Sequence, residues 1–147
     1  MKEIVILKAS EKHKEFIIHA NNVINNVNST EQTMGLAQNI DKDYFSDNPK
    51  FHCLIAEIDN KPVGMILYSY FYWANDGQVL WISQMFVEEK YRKNGVFFKL
   101  IEELKKENSD IKIVSCATGD ENTRMQRILK YYDAHEINLK FYYKKIY

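Results

Sequence analysis

Arg92, Lys93, Asn94 and Gly95 stand immediately before an apolar helical repeat, an arrangement suited to holding an anion. The N–H groups of a helix's first turn converge on one point and the helix dipole favours negative charge there. A glycine also lets a phosphate come close to the backbone. The loop matches neither G-x-x-x-x-G-K-[ST] nor G-x-G-x-x-G. Other chemistries are less well supplied. Cys53 and Cys116 each lie in a strand-like run with no histidine in a recognisable local pattern, so they read as reduced, buried thiols. His13, His19, His52 and His135 are scattered, without H-E-x-x-H or C-x-x-C spacing, and predict no metal site.

The loop must be positioned by a strand before it and a helix after it. From Gln78 to Val87 apolar residues occupy both faces, which suits a central strand covered on both sides. Glu88-Glu89-Lys90 ends that run. From Val96 the period becomes helical, with Phe97, Leu100, Ile101 and Leu104 on one face.

Upstream, Glu3 to Leu7 reads as a first strand, and Ser10 caps a helix reaching to Val27. Its apolar stripe is Phe16, Ile17, Ala20, Val23, Ile24 and Val27. Asn21-Asn22 and Asn25-Asn26 are poor helix formers and predict a frayed end. Asn28 to Gln38 reads as a loop, and Asp41 to Ser46 as a helical turn. Phe51 to Ile58 and Pro62 to Trp73 are strands joined by an Asp59-Asn60-Lys61 hairpin turn, and Asn75-Asp76-Gly77 turns into the central strand.

Downstream, Ile111 to Ala117 is another strand. Thr118-x-x-Glu121 is a capping box for a second C-terminal helix with Met125, Ile128, Leu129 and Tyr132 on one face. Glu136 to Tyr147 alternates as one or two closing strands. A single strand–helix–strand crossover at the loop makes the strands at 78–87 and 111–117 parallel neighbours.

The whole run from Gln78 to Leu104 resembles the central motif of the GNAT superfamily of acyl-CoA-dependent N-acyltransferases. In that motif a strand ends near aromatic-Val, an Arg or Gln follows five residues on, and [QR]-x-x-G-x-[GA] opens a helix. Here Phe86-Val87 is followed by Arg92, and Arg92-x-x-Gly95 is kept. Phe97 stands where the family usually has Gly or Ala, and Lys93 where a further Gly is common. The resemblance implies an α/β (α+β) fold in one domain over residues 1–147. Its central sheet is mixed, mostly antiparallel and twisted, with about seven strands, helices on both faces and one parallel strand pair at the cofactor site.

It implies acetyl-CoA as cosubstrate, with the pyrophosphate on the loop Arg92, Lys93, Asn94, Gly95, Val96, Phe97 and Phe98. The pantetheine arm would follow the backbone of Met85, Phe86 and Val87, with Asn122 contacting it. Many members carry a Tyr seven residues after that Asn to protonate the departing thiolate. That position is Leu129 here, and Asp133 holds a following Gly position. Tyr132, one turn on, is the nearest chemically competent acid. Ser83 and Gln84 occupy the places where some members have a carboxylate, and are the candidates for orienting the acceptor amine or a water. Glu31, Asp41 and Asp43 fall in the region that usually walls the acceptor pocket.

The tract GMILYSYFYWANDGQVLWISQMFV is most similar to the small-molecule amine and diamine acetyltransferases. The expected activity is transfer of an acetyl group to a primary amine of a small molecule or peptide by direct attack. The departures at Phe97, Lys93 and Leu129 also fit a second reading, a GNAT-fold module that binds CoA or a protein without catalysis.

Composition narrows the partners. The 147 residues suit one domain with one substantial core. Twenty Lys and Arg balance twenty Asp and Glu, so no global field draws the chain to nucleic acid or an anionic membrane. No apolar run reaches the length of a membrane span and no signal-peptide pattern opens the chain, which predicts a cytoplasmic protein. The aromatic segment Phe141 to Tyr147 is a candidate homodimer surface.

Overall fold

The structure, a computed structural model, describes residues 2–25, 34–137, 142 and 144. The chain divides into two compact units, Met1–Cys116 and Ala117–Tyr147.

The first unit is a five-stranded sheet in the order β1 (Val5–Lys8), β2 (His52–Ile58), β3 (Lys61–Trp73), β4 (Gly77–Val87) and β5 (Ile113–Cys116). The first four strands run antiparallel to their neighbours, and β4 and β5 are parallel. Asp59 and Asn60 join β2 to β3 with φ of 52° and 59°. Two successive left-handed residues make the tight turn whose twist matches the flanking strands, and Asp and Asn tolerate that conformation.

Alternation along the strands sorts the apolar side chains between two cores. Leu54, Ala56, Ile66, Tyr68, Leu80 and Ile82 pack beneath α3 (Val96–Glu107). Ile55, Met65, Leu67 and Phe86 pack with Ile17 and Ala20 of α1 (Lys14–Ile24) and Ile40 of α2 (Met34–Asp43). Ile17, Ile40, Leu54 and Leu80 are completely buried; each such side chain contributes about 1.5–3 kcal/mol. The central strands are therefore sandwiched between helices, as their continuous apolar sequence predicts.

Several boundaries differ from the sequence reading. Ser10 caps a short 3-10 turn, Glu11–His13, that leads into α1. The segment read as a loop up to Gln38 becomes helical at Met34, and α2 replaces the turn placed at Asp41 to Ser46. An apolar stripe of Leu36 and Ile40 supplied enough burial to override the weak local signal. On α3 the buried positions are Val96, Leu100 and Leu104; Phe97 is only half-buried. Val96 reaches the core because β3 carries Gly64 below it. A Cβ at Gly64 would lie 3.0 Å from Val96 Cγ1 and 3.1 Å from the Phe86 carbonyl.

In the second unit α4 (Thr123–Tyr131) starts at Asn122, whose side chain accepts a hydrogen bond from the Met125 N–H at 3.1 Å. Asn122 thus takes the capping role assigned to Thr118 on sequence. The helix closes on Tyr132 and Asp133. Ala134 N–H reaches Leu129 O at 3.0 Å and Asp133 N–H reaches Lys130 O at 3.1 Å. With Asp133 at φ 54° this is a Schellman closure. Five strands are present among the described residues where about seven were expected. Most of Glu136 to Tyr147, with the closing strands and the Phe141–Tyr147 dimer surface placed there, lies outside the described residues.

Candidate active site

Ser83 is the residue at which the sheet opens. Leu67 of β3 faces Gln84 while Tyr68 faces Ile82, so Ser83 is the extra residue of a β-bulge. Its Oγ donates to the Leu67 carbonyl at 3.0 Å. β5 pairs with β4 only from Val79↔Ile113 to Ile82↔Cys116. The parallel pair therefore ends where the bulge begins. Among the described residues no strand accompanies Gln84 to Val87 on that side.

The backbone groups on this open edge can be assigned. Glu88 N–H donates to Val63 O across the β3 side at 2.9 Å. Peptide groups alternate sides along a strand, so those of Phe86 also face β3. Those of Met85 and Val87 face the open edge. Phe86, grouped with these two on sequence, instead contributes its side chain to the α1 core.

The loop is tied to this strand end. Arg92 Nε donates to the Val87 carbonyl at 2.9 Å. Glu89–Tyr91 form one 3-10 turn; then Lys93 and Gly95 take left-handed φ of 69° and 80°. Lys93 sits in a conformation that glycine adopts freely, which is why the family's glycine is common there. Gly95 is the N-cap of α3 and offers no capping side chain, and no acidic residue occupies the first turn. The helix ladder begins with Lys99 N–H to Gly95 O at 3.1 Å. Lys93 and Asn94 are exposed, and Phe97 and Phe98 meet edge to face. An uncapped helix N-terminus beside a lysine and an open strand edge fit the phosphates and the extended arm of a CoA thioester.

The opposite face of β4 turns toward α1 and carries polar groups. Gln84 Nε2 donates to Asn21 Oδ1 at 2.6 Å. Two residues on, the Phe86 ring meets Phe16 and His19 edge to face. Two further, Glu88 lies 3.3 Å from His19 Nε2. Sequence reasoning missed His19, Asn21 and Glu88 because their partners are far apart in the chain. Asn21 had registered only as a weak helix former. Asp41 is held by Lys14 at 2.7 Å. Glu31 lies outside the described residues.

His13 and Glu57 were also invisible on sequence. Ser10 N–H donates to His13 Nδ1 at 2.8 Å, which leaves the ring proton on Nε2 to meet Glu57 at 2.9 Å. Lys12 joins at 2.8 Å. Burial pushes the Cys53 thiol up to about 12 and raises that of Cys116, so neither supplies a ready thiolate. Among the described residues no group of His, Cys, Asp and Glu could hold a metal ion.

In the second unit Tyr132 is half-buried at the C-cap of α4, on the stripe with Met125, Ile128 and Leu129. The side-chain oxygen of Asn122 is engaged in its own helix cap.

A mixed sheet whose bulged central strand parts from its single parallel neighbour, beside an uncapped helix N-terminus, defines an N-acyltransferase fold. The chain belongs to the acetyltransferase (GNAT) family, whose model matches residues 19–132. Thialysine N-epsilon-acetyltransferase of Sus scrofa is 34% identical over 70 residues, covering 42% of this chain and 41% of that protein. A spermidine/spermine N(1)-acetyltransferase-like protein of Homo sapiens is 34% identical over 70 residues, 43% of this chain and 10% of that protein. The match therefore spans less than half the length of these relatives. An aminoglycoside N-acetyltransferase in complex with CoA superposes with a TM-score of 0.77 at 18% identity, covering 99% of this chain and 97% of its own.

Proposed function

We propose that the chain is an acetyl-CoA-dependent N-acetyltransferase that acetylates a primary amine of a small molecule or peptide. The observation that carries this reading is the coincidence of the Ser83 bulge, the end of β4–β5 pairing and the uncapped start of α3. On this reading residues 1–147 form one acyltransferase domain, which the run of the family match across the boundary of the two units supports. Acetyl-CoA would bring the activated acetyl group as a thioester. Lys93, Asn94 and the first-turn amides of α3, from Val96 through Phe97 and Phe98, would hold its phosphates. The peptide groups of Met85 and Val87 would align the arm, as an added strand does. Asn122 would steady the arm through the rest of its amide.

The amine nitrogen then bonds to the acetyl carbon, the carbon–sulfur bond breaks, and one amine proton ends on the sulfur. Tyr132 is the candidate relay, its hydroxyl giving a proton to the departing sulfur and regaining one from the amine, and Ser83 and Gln84 are the candidates for placing the amine. Positioning and fixed dipoles supply most of the rate in such a site. Action in the cytoplasm suits the free Cys53 and Cys116, which stay reduced there.

Calorimetry with acetyl-CoA, followed by detection of free thiol with a panel of amines, tests the reading. Binding and amine-dependent thiol release are expected. Absence of acetyl-CoA binding overturns it, and binding without release from any amine leaves a CoA-binding module.

A further inference from the structure

The loop and the first turn of α3 carry three aromatic rings, and the three are not equivalent. Tyr91 is half-buried against the core beneath α3, and the Lys90 ammonium lies over its ring, 5.0 Å from the centroid. Phe97 is half-buried as well. Phe98 is 47% exposed. Its ring meets that of Phe97 with centroids 5.8 Å apart and planes at 86°. An edge-to-face contact of this kind holds a surface ring in one orientation, whereas a lone exposed side chain hops between rotamers.

Helix geometry sets where this ring points. Val96, Leu100 and Leu104 mark the buried face of α3. At about 100° per residue, Phe98 lies about 160° around the helix from the middle of that face, so it projects away from the sheet. Helical side chains also lean toward the N-terminus of their own helix. Phe98 therefore leans toward the outer side of the α3 N-terminus, where Gly95 leaves the first-turn amides without a capping side chain. CoA is one chain, with the pantetheine arm on one side of its phosphates and adenosine on the other. The open edge of Met85 and Val87 belongs to the sheet side. An arm laid on that edge, with phosphates at the α3 amides, sends the adenosine out on the side away from the sheet.

We infer that Phe98, braced by Phe97, is the platform on which the adenine of CoA stacks. The inference rests on the acetyltransferase reading and assigns the nucleoside end of its cosubstrate. Every base offers a π face, so stacking requires no hydrogen bond to the base edge. The protein then holds each part of the molecule by a different chemistry. Strand peptide groups align the arm, first-turn N–H groups take the phosphates, and an aromatic ring takes the base. Phe97 is a positioning residue for that ring.

The test is calorimetry on the full chain with three probes: acetyl-CoA, etheno-CoA and acetyl-phosphopantetheine. Phe98→Leu keeps an apolar side chain at this exposed position and removes the π face. It should weaken acetyl-CoA about tenfold, while Phe98→Trp keeps the native affinity. Acetyl-phosphopantetheine retains the thioester arm and one phosphate but lacks the adenosine, and should show no such split between the two variants. Etheno-CoA has the hydrogen-bonding edge of its base blocked, and should bind the native protein as tightly as CoA does. Equal acetyl-CoA affinity in Phe98→Leu and Phe98→Trp overturns the inference. So does the same split with acetyl-phosphopantetheine, or a loss of affinity for etheno-CoA. Acetyl-CoA failing to bind the native protein defeats the acetyltransferase reading itself, whereas acetyl-CoA binding that is indifferent to the ring at position 98 defeats only the adenine platform.

Discussion

Arg92 Nε donates to the Val87 carbonyl at 2.9 Å and so ties the basic loop to the last residue of the bulged strand. The motif arginine is thus committed through one donor to the protein's own backbone. It sets where the loop begins relative to the open edge of β4. Arg92→Lys retains the charge but loses the planar guanidinium, whose geometry holds a carbonyl and leaves further donors. Acetyl-CoA affinity is expected to fall about tenfold, or ~1.4 kcal/mol, with little change in thermal stability. An unchanged dissociation constant in calorimetry would make the tie incidental.

Gly95 separates strain from charge. Its φ is 80°, and an added Cβ would meet nothing within 4 Å. Gly95→Ala should therefore cost about 1–2 kcal/mol of stability through backbone strain alone. Gly95→Glu carries the same strain and adds an anion at the N-terminus of α3. Acetyl-CoA binding should survive in the alanine variant at reduced temperature and vanish in the glutamate variant. Equal losses in both would mean that no phosphate sits there.

Asp133 occupies the left-handed position of the α4 closure, with φ 54°. A side chain is disfavoured there, and its negative charge lies at the negative end of the helix dipole. Asp133→Gly is expected to stabilise the protein by about 0.5–1 kcal/mol, read as a higher urea midpoint at constant slope. A lower midpoint would show that the Asp133 side chain contributes something the helix closure does not require.

Glu57 links stability to acid. Its carboxyl is held below the ordinary 4.5, chiefly by the Lys12 hydrogen bond and then by His13, against the opposing effect of burial. A carboxyl whose value is lower in the folded state contributes fully above its unfolded value. That contribution is lost as the pH falls through the folded one. Thermal melts should decline below about pH 4.5, and Glu57→Gln should lower stability at pH 7 while flattening that acid limb. A mutant curve parallel to wild type would remove Glu57 from the account.

Tyr132 lies one helical step beyond Leu129 on the α4 stripe. A positioned general acid contributes roughly 10²–10⁴-fold. Tyr132→Phe removes only the hydroxyl, so as the acid it should lose at least about tenfold in kcat with acetyl-CoA affinity unchanged. Leu129→Tyr would be expected to recover part of that loss. Unchanged turnover in Tyr132→Phe would assign the residue to packing.

The sequence alone determined what is local. The apolar run of β4, the change of period at Val96 and the Arg92-x-x-Gly95 spacing placed the strand, the helix and the loop between them. Asp59-Asn60 fixed its hairpin because two left-handed residues leave few other geometries. Alternation and connection length made β4 and β5 parallel neighbours.

The tertiary structure decided what depends on distant partners. Gly64 carries no local signal of its role, which comes from α3 lying over it, where a Cβ would crowd Val96 and the Phe86 carbonyl. α2 extended through a segment read as loop because burial of Leu36 and Ile40 outweighs weak local propensity. The bulge at Ser83 has no sequence signature, because it is a mismatch of register between two strands. Above all, Asn21 and Gln84 lie 63 positions apart. Helix propensity counts asparagine only as a cost, and only folding shows that this one orients the amide beside the bulge.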